Sequence, residues 1–269
     1  MKEEIITLVK GLTDPIRKLN LLREYLQAFV LRSLHESEAF VHLSFVGGTA
    51  LRFLFNLPRF SEDLNFSLET PEGYKPIQWM KKVERDLSMA GFDPAIRWND
   101  RKTVHTAWIR IAAILNEIGL SNLSEQKLSI KLEIDTHPPA GAELKTLIVN
   151  RYMIFSLRHH DLPSLMAGKI HALITRPYPK GRDWYDLLWY SAQRPPVLPN
   201  LKLLQNALNQ TQDAGKLTAT EWRKNICERL DTLESETLKD DVLPFLENTG
   251  EASMLSIENL KSLLQTGFS

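Results

Sequence analysis

One stretch of the chain, residues 45–66, constrains both the fold and the chemistry more than any other. A short apolar run ends there in Gly47 and Gly48, and an apolar segment with helical spacing follows, which predicts strand, tight turn and helix. Glycine permits backbone angles that other residues avoid, and the positive end of a helix attracts anions, so the turn is a candidate phosphate seat. Asp63 and Asn65 follow on one face of a second predicted strand. Because Mg²⁺ binds carboxylate and phosphate oxygens together, this pattern predicts a metal-dependent phosphate site.

The distribution of strand and helix patterns predicts an α+β fold with two domains. Strand-like alternation is confined to the first part of the chain, and helical spacing dominates from Asp161 onward. We therefore predict an α/β core with an amino-terminal helix over residues 1–157 and an α-helical domain over residues 158–269. The predicted strands are residues 41–46, 61–68, 95–98, 104–115, 127–135 and 147–157, and the predicted helices are residues 14–35, 75–90, 161–175, 182–192, 200–212, 218–233, 239–247 and 254–266.

Composition excludes several classes of protein. The chain has 269 residues, 33 Lys and Arg against 33 Asp and Glu, and one cysteine, Cys227. A single thiol can form neither an internal disulfide nor a multi-cysteine zinc site, which favours a reducing compartment. Because no apolar run approaches the ~20 residues of a membrane span and the amino terminus lacks a secretory signal pattern, we expect a cytoplasmic protein that makes no membrane contact. The charges balance overall, but a basic middle segment favours a local polyanion site.

Later parts of the chain offer further candidates. Strand 127–135 carries Glu133 and Asp135 on its polar face, and either could complete a metal site with Asp63. Alternatively, both are the exposed side of a half-buried sheet. Lys169 lies among apolar residues at helical spacing, an unfavourable place for an ammonium unless an anion faces it, so it is a candidate triphosphate contact. The alternative is a stem packed on apolar surface with the amine in water.

Four further side chains could contact phosphate or RNA. Arg59 and Ser61 precede the predicted metal site, and a guanidinium fork and a hydroxyl both suit phosphate oxygens. Ser61 could equally cap a turn. Arg176 and Lys180 border a Pro-Tyr-Pro loop that could contact RNA through charge and stacking.

Three of these segments together resemble the AbiEii/AbiGii family of toxin nucleotidyltransferases, also called MenT-like, in the polymerase β-type nucleotidyltransferase superfamily. The resemblance implies a polymerase β-like core with a mixed sheet, followed by a helical domain that contributes Lys169, Asp183 and Asp186 to the cleft. The segments are Gly47-Gly48-Thr49-Ala50-Leu51, Arg59-x-Ser61-x-Asp63 and residues 169–187.

The superfamily pattern assigns roles to individual residues. A glycine turn is followed there by Asp-x-Asp, whose acids hold metal ions on the nucleotide triphosphate, and an acid on a later strand completes the site. Asn65 stands at the second position and departs from this pattern; its neutral amide oxygen should hold a divalent cation more weakly. The implied catalytic residues are Asp63, Glu133, Asp135, Lys169, Asp183 and Asp186. The implied metal ligands are Asp63, Asn65, Glu133 and Asp135, and the implied nucleotide contacts are Gly47, Gly48, Thr49, Arg59, Ser61, Lys169 and Arg182.

The resemblance also implies a function. We expect a nucleotidyltransferase that uses Mg²⁺ or Mn²⁺ to transfer a nucleoside monophosphate from an NTP to an acceptor hydroxyl. It implies RNA, the 3′ end of a tRNA, as acceptor, and the toxin of a bacterial toxin–antitoxin or phage-defence system, with an antitoxin that carries a winged-helix domain. Two alternatives stay open: a catalytically impaired nucleotide-binding or interaction protein, motivated by Asn65, and a small-molecule nucleotidyltransferase of the antibiotic-modifying kind.

Overall fold

The chain divides into two compact units. The computed structural model describes residues 1–212, 215–266 and 268. The first unit comprises Met1–Phe55, Phe60–Pro138 and Thr146–His159, and the second comprises Asn56–Arg59, Pro139–Lys145 and His160–Ser269. Two short segments of the second unit lie within the sequence of the first unit. The order of predicted helices and strands along the sequence does not indicate this arrangement.

A mixed β-sheet forms the centre of the first unit, as predicted. Its strands are β1 (Leu43–Val46), β2 (Leu64–Leu68), β3 (Asp93–Asn99), β4 (Val104–Ala112), β5 (Leu128–Asp135), β6 (Leu144–Arg151) and β7 (Met153–His160). Among the described residues they form one seven-stranded sheet in the order β3-β4-β5-β2-β1-β7-β6. Strand β1 is antiparallel to β2 and parallel to β7, and β2 is parallel to β5.

Helices cover the apolar residues of this sheet. They are α1 (Lys2–Lys10), α2 (Pro15–Glu36), α3 (Gly47–Phe55), α4 (Pro76–Met89) and the short α5 (Ile114–Glu117), with a 3₁₀ turn at Ala39–Val41. Helix α2 begins where the sequence predicts, because the Asp14 side chain accepts a hydrogen bond from the Ile16 amide and Pro15 occupies the first turn. In β5 the alternation is complete: Leu128, Ile130, Leu132 and Ile134 are buried, and the residues between them are partly exposed.

The structure differs from the sequence prediction at several places. Asp63 lies just before β2 rather than on the strand predicted over residues 61–68, and the helix predicted over residues 239–247 ends at Val242. The single strand predicted over residues 147–157 is two strands, β6 and β7, separated by Tyr152 at φ +64°. Strand β6 lies at the sheet edge with most of its residues exposed, so it lacks the apolar alternation that marks a strand. The strand predicted over residues 104–115 ends at Ala112, because Ala113 turns the chain at φ +61° into α5. Helix α1 was not predicted.

The second unit is helical. Its helices are α6 (Leu162–Thr175), α7 (Gly181–Ser191), α8 (Leu201–Thr211), α9 (Trp222–Leu230), α10 (Ser235–Val242) and α11 (Ile257–Thr266), with 3₁₀ turns at Ala219–Glu221, Leu243–Phe245 and Thr249–Met254. The Asp161 side chain caps α6 by accepting from the Ser164 amide at 2.9 Å. Gly181 begins α7 so close to α10 that a Cβ there would lie 1.9 Å from the Leu238 carbonyl oxygen. No helix in the described ranges is both long and apolar enough to cross a membrane.

Candidate active site

The glycine turn predicted from sequence connects β1 directly to α3. Gly47 has φ +82°, and a Cβ at this position would lie 3.2 Å from Nδ2 of the Asn65 side chain. The backbone angle favours glycine, and a Cβ there would also displace the Asn65 side chain slightly. The buried Thr49 hydroxyl, in the first turn of α3, donates to the Asp63 carbonyl oxygen at 2.5 Å. The turn, the start of the helix and the Asp63–Asn65 segment are thus held together.

Strand register decides which acid lies nearest to this turn. Strands β2 and β5 are parallel, with Asn65 beside Glu133 and Ser67 beside Asp135. In the antiparallel pair of β1 and β2, Asn65 lies beside Val46, the residue before Gly47. Glu133 therefore shares the row of the glycine turn, whereas Asp135 lies one side-chain row, about 7 Å, further along the strand. The register favours Glu133 as the later-strand acid.

Both later acids already have partners. The Glu133 carboxylate lies 2.6 Å from the Lys131 ammonium, and the Asp135 carboxylate accepts from the His137 amide at 2.9 Å, as in an Asx turn. Across the described ranges no group of three or more His, Cys, Asp and Glu side chains could hold a metal ion. The register sets Asp135 further from the turn than Glu133, and the metal site predicted for Asp63, Asn65, Glu133 and Asp135 stays a prediction.

The donors in this row nevertheless fit Mg²⁺. This ion keeps waters and typically binds one or two carboxylates together with substrate phosphates, rather than a complete protein cage. Asp63 precedes β2, and Asn65 and Glu133 are neighbours on adjacent strands. A carboxylate and an amide oxygen beside a helix start are the donor types for an ion that is shared with a triphosphate.

Sequence reasoning missed three buried polar residues that support this region. Gln27 of α2 donates to the carbonyl oxygens of Ser61 and Glu62 at 3.0 and 2.9 Å, which fixes the backbone that leads to Asp63. Within α3, the Arg52 Nε atom lies 2.5 Å from Glu24, and both side chains are 3% exposed. In the sequence, these residues could have been recognised as polar side chains on the apolar face of a predicted helix. Ser61 therefore has its backbone held by Gln27, and its proposed phosphate contact stays a prediction.

A charge cluster occupies the second unit. The Arg59 guanidinium binds Asp186 through both carboxylate oxygens, with Nε–Oδ1 2.6 Å and Nη2–Oδ2 2.7 Å. Lys169 of α6 lies 2.9 Å from Asp183 and 2.6 Å from Asp186, which occupy one face of α7. Arg176 also binds Asp183. We call these five residues the α6–α7 charge cluster.

Burial and neighbouring charges shift the pKa values of Arg59 and Asp183 in this cluster. Burial alone would lower the pKa of Arg59, but the adjacent Asp186 outweighs it and raises that pKa above its usual value. Burial opposes ionisation of Asp183, but Lys169 and Arg176 outweigh it and hold the pKa of that carboxyl below its usual range. Arg59 is therefore protonated and Asp183 ionised at neutral pH.

Two predicted phosphate contacts are engaged in structural interactions. Arg59 is 2% exposed, and its fork is directed at Asp186 rather than at a solvent-accessible ligand. This guanidinium therefore has a structural partner, and its predicted phosphate contact stays a prediction. Arg182 lies 3.8 Å from Asp241 and stacks on the Phe245 ring at 4.3 Å. The roles of Lys169, Asp183 and Asp186 in catalysis stay predictions of the family resemblance.

Two solved structures share the fold of this chain. A crystal structure of a candidate nucleotidyltransferase from Helicobacter pylori matches with a TM-score of 0.58 and 17% identity, over 92% of this chain and 94% of that chain. JHP933 from Helicobacter pylori matches with a TM-score of 0.52 and 18% identity, over 93% of this chain and 91% of that chain. At these identities the similarity shows the fold alone, which is that of a nucleotidyltransferase.

The family follows from the sequence. No curated protein sequence matches the chain. The family described as "Nucleotidyl transferase AbiEii toxin, Type IV TA system" matches residues 29–262. Because the match spans most of its length, the chain belongs to the AbiEii family, and the resemblance drawn from three short segments is confirmed. Membership of a toxin–antitoxin family implies an antitoxin partner.

The glycine turn offers a direct test of the site geometry. We expect Gly47→Ala to lower the free energy of unfolding by about 1–3 kcal/mol, because alanine is strained at φ +82° and its Cβ would press on Asn65. Gly119→Ala is a matched control, since Gly119 has φ +73° and a Cβ there would meet nothing within 4 Å. Urea unfolding should show the smaller loss for Gly119→Ala. Equal losses would contradict the contact with Asn65.

The charge cluster predicts a pH dependence of stability. Because the folded-state pKa of Asp183 is depressed, its stabilisation is complete above the usual value of 3.8 and is lost as the pH falls through the lower folded value. At neutral pH we expect Asp183→Asn to be less stable than the natural chain by about 1.5–3 kcal/mol, the contribution of charge-assisted hydrogen bonds. Urea unfolding at several pH values should show this difference narrowing only below 3.8. A difference in unfolding free energy that stays constant at the lowest pH measured would contradict a depressed pKa of Asp183 in the folded state.

Proposed function

We propose that this chain transfers a nucleoside monophosphate from an NTP to a hydroxyl of RNA, with a divalent cation, and releases pyrophosphate. The observation that carries the proposal is the row formed by Val46, Asn65 and Glu133 across β1, β2 and β5, with Gly47 directly after Val46 and the Asp63 backbone tied to the start of α3. This row would set a phosphate seat and oxygen donors for a hard cation side by side. AbiEii membership supports the reaction class.

Each group in this row has a proposed task. The backbone N–H groups at the start of α3 bind phosphate oxygens, and Gly47 lets the ligand approach the backbone. Asp63, Asn65 and Glu133 would hold the cation, which supplies charge stabilisation at the phosphate and lowers the pKa of the acceptor hydroxyl. The acceptor hydroxyl loses its proton to water and its oxygen forms a bond to the α-phosphorus, while the bond from that phosphorus to the pyrophosphate oxygen breaks and pyrophosphate leaves. Most of the acceleration then comes from positioning and electrostatics.

The primary test is incorporation of labelled nucleotide. Purified protein is incubated with each α-labelled NTP, Mg²⁺ or Mn²⁺, and total cellular RNA. We expect labelled RNA with one or more NTPs, and none with Asp63→Ala. Small hydroxyl compounds of the antibiotic type serve as a parallel acceptor set. Labelling of those compounds and never of RNA would refute the RNA acceptor and favour the small-molecule alternative.

The toxin role has a separate cellular test. We expect growth arrest when the chain is expressed in bacteria, and normal growth with Asp63→Ala at the same protein level. A variant as toxic as the natural chain would show that nucleotidyl transfer is not the cause of arrest. In that case the nucleotide-binding or interaction protein motivated by Asn65 becomes the better description.

A further inference from the structure

A cationic groove lies on the open face of β3, β4 and β5 in the first unit. It encloses about 590 Å³. Strand register places Arg97 beside Trp108, and Trp108 beside Lys131, so that one row of side chains crosses three strands. We call this surface the β3–β5 groove and define it by six lining residues: Arg97, Arg101, Lys102, Trp108, Arg110 and Lys131.

Positive charge in the groove is largely unneutralised. Five of the six defining residues are cations, and the only carboxylate that lines the cavity, within the described chain, is Glu133. Glu133 pairs with Lys131 at 2.6 Å. The other four cations are exposed and form no ion pair with any residue that the structure describes. Since the whole chain carries 33 basic and 33 acidic side chains, this patch is a local concentration that suits an extended polyanion.

An exposed aromatic side chain lies among these cations. Trp108 is 38% exposed on the sheet face, and the Lys131 ammonium lies 5.7 Å from the centre of its ring system. Proteins bind single-stranded nucleic acids by stacking bases on aromatic side chains while Lys and Arg pair with phosphates. An acidic peptide or a free triphosphate lacks the repeating phosphates and bases of a nucleic acid strand. Neither would therefore use the row of cations and the exposed Trp108 ring together. The groove also extends to Glu133, which lies beside Asn65 in the candidate metal row.

We propose that the β3–β5 groove binds single-stranded RNA, with phosphates on its arginine and lysine side chains and an unpaired base stacked on Trp108. The strand then leads toward Glu133 and the row that receives the nucleotide. This inference rests on the proposed function, because it identifies where the RNA acceptor of that reaction is held. It replaces the loop with Arg176 and Lys180 as the main candidate for RNA contact.

Equilibrium binding without NTP tests the groove independently of catalysis. The full chain is titrated against a fluorescein-labelled, unstructured oligoribonucleotide at several salt concentrations. We expect the triple variant Arg97→Gln/Arg101→Gln/Arg110→Gln to weaken binding and to make the slope of log K against log salt shallower by about 2, at about 0.7 per lost phosphate contact. The matched control, Lys10→Gln/Lys75→Gln/Lys81→Gln, removes the same charge from exposed positions outside the groove. Its affinity should stay within about twofold, since none of these three lysine side chains lines the groove.

A second variant tests stacking. Trp108→Ala should raise the Kd for RNA about tenfold, and Trp108→Phe should restore most of the affinity, because any aromatic ring can stack on a base. Equal weakening by the groove and control triples, or unchanged binding in the groove triple, would overturn the proposal. Poly-L-glutamate serves as a competing polyanion. If it binds as tightly as RNA, and Trp108→Ala changes the affinity for neither polymer, the proposal is also overturned and an acidic protein partner is indicated. If RNA binds through the groove but no NTP is incorporated, the groove stands and the proposed function fails.

Discussion

Replacing Arg59 with alanine should lower the free energy of unfolding by about 3–5 kcal/mol, which is the usual cost of removing one partner from a buried ion pair. Arg59 is 2% exposed and holds Asp186, which is fully buried, through both carboxylate oxygens. Without the guanidinium, Asp186 keeps Lys169 at 2.6 Å but loses its bidentate partner. Urea unfolding monitored by tryptophan fluorescence measures the loss.

Two comparisons make this result specific. Lys261→Ala breaks an exposed ion pair with Asp231 and should cost less than about 1 kcal/mol. The double variant Arg59→Met/Asp186→Leu removes both charges and should lose less than the two single variants together, because no carboxylate is left buried without its partner. Additive losses would contradict a direct pair.

Arg59→Lys separates the structural role from the phosphate contact that the sequence pattern predicts. Lysine cannot reproduce a two-pronged contact, so stability should fall. The folded fraction should still bind NTP with an affinity close to that of the natural chain. Unchanged stability with a large loss of NTP affinity would return Arg59 to the phosphate site.

The parts of the fold that sequence predicts are those fixed by neighbouring residues. Alternation in β5, the Asp14 cap of α2 and the Asp161 cap of α6 depend on side chains a few positions apart, so local patterns reveal them. The Gly47 turn is recognisable for the same reason, since its φ of +82° is a property of one residue.

The remaining features depend on contacts between distant parts of the chain. The neighbouring positions of Asn65 and Glu133 follow from β2 pairing with β5, a choice of strand order that alternation cannot reveal. For the same reason, sequence left Glu133 and Asp135 as equal candidates. The partner of Arg59 is on α7, which no pattern around Arg59 indicates. From sequence alone, an arginine next to a candidate metal motif suggests a phosphate contact, because the carboxylate that it pairs with lies far away in the chain.

The second large effect concerns Asp63. We expect Asp63→Asn to reduce nucleotide incorporation about 10³-fold, because it removes a carboxylate from the segment whose backbone is tied to the start of α3, and with it several kcal/mol of metal-assisted charge stabilisation. The substitution keeps the size of the side chain, so the folded state should survive. Initial rates with a saturating NTP and total RNA give the ratio, and circular dichroism checks the fold.

Asn65→Asp is the reciprocal experiment, since it adds the acid that the family pattern has at this position. A second carboxylate strengthens binding of a hard divalent cation, so the Mg²⁺ concentration for half-maximal rate should fall about tenfold. In the same assay, Glu133→Gln should impair incorporation far more than Asp135→Asn, because Glu133 lies beside Asn65 and Asp135 lies one row away. If only Asn65→Asp incorporates nucleotide and the natural chain does not, the natural protein binds nucleotides without turnover. An Mg²⁺ requirement unchanged in Asn65→Asp would mean that position 65 does not contact the cation at all.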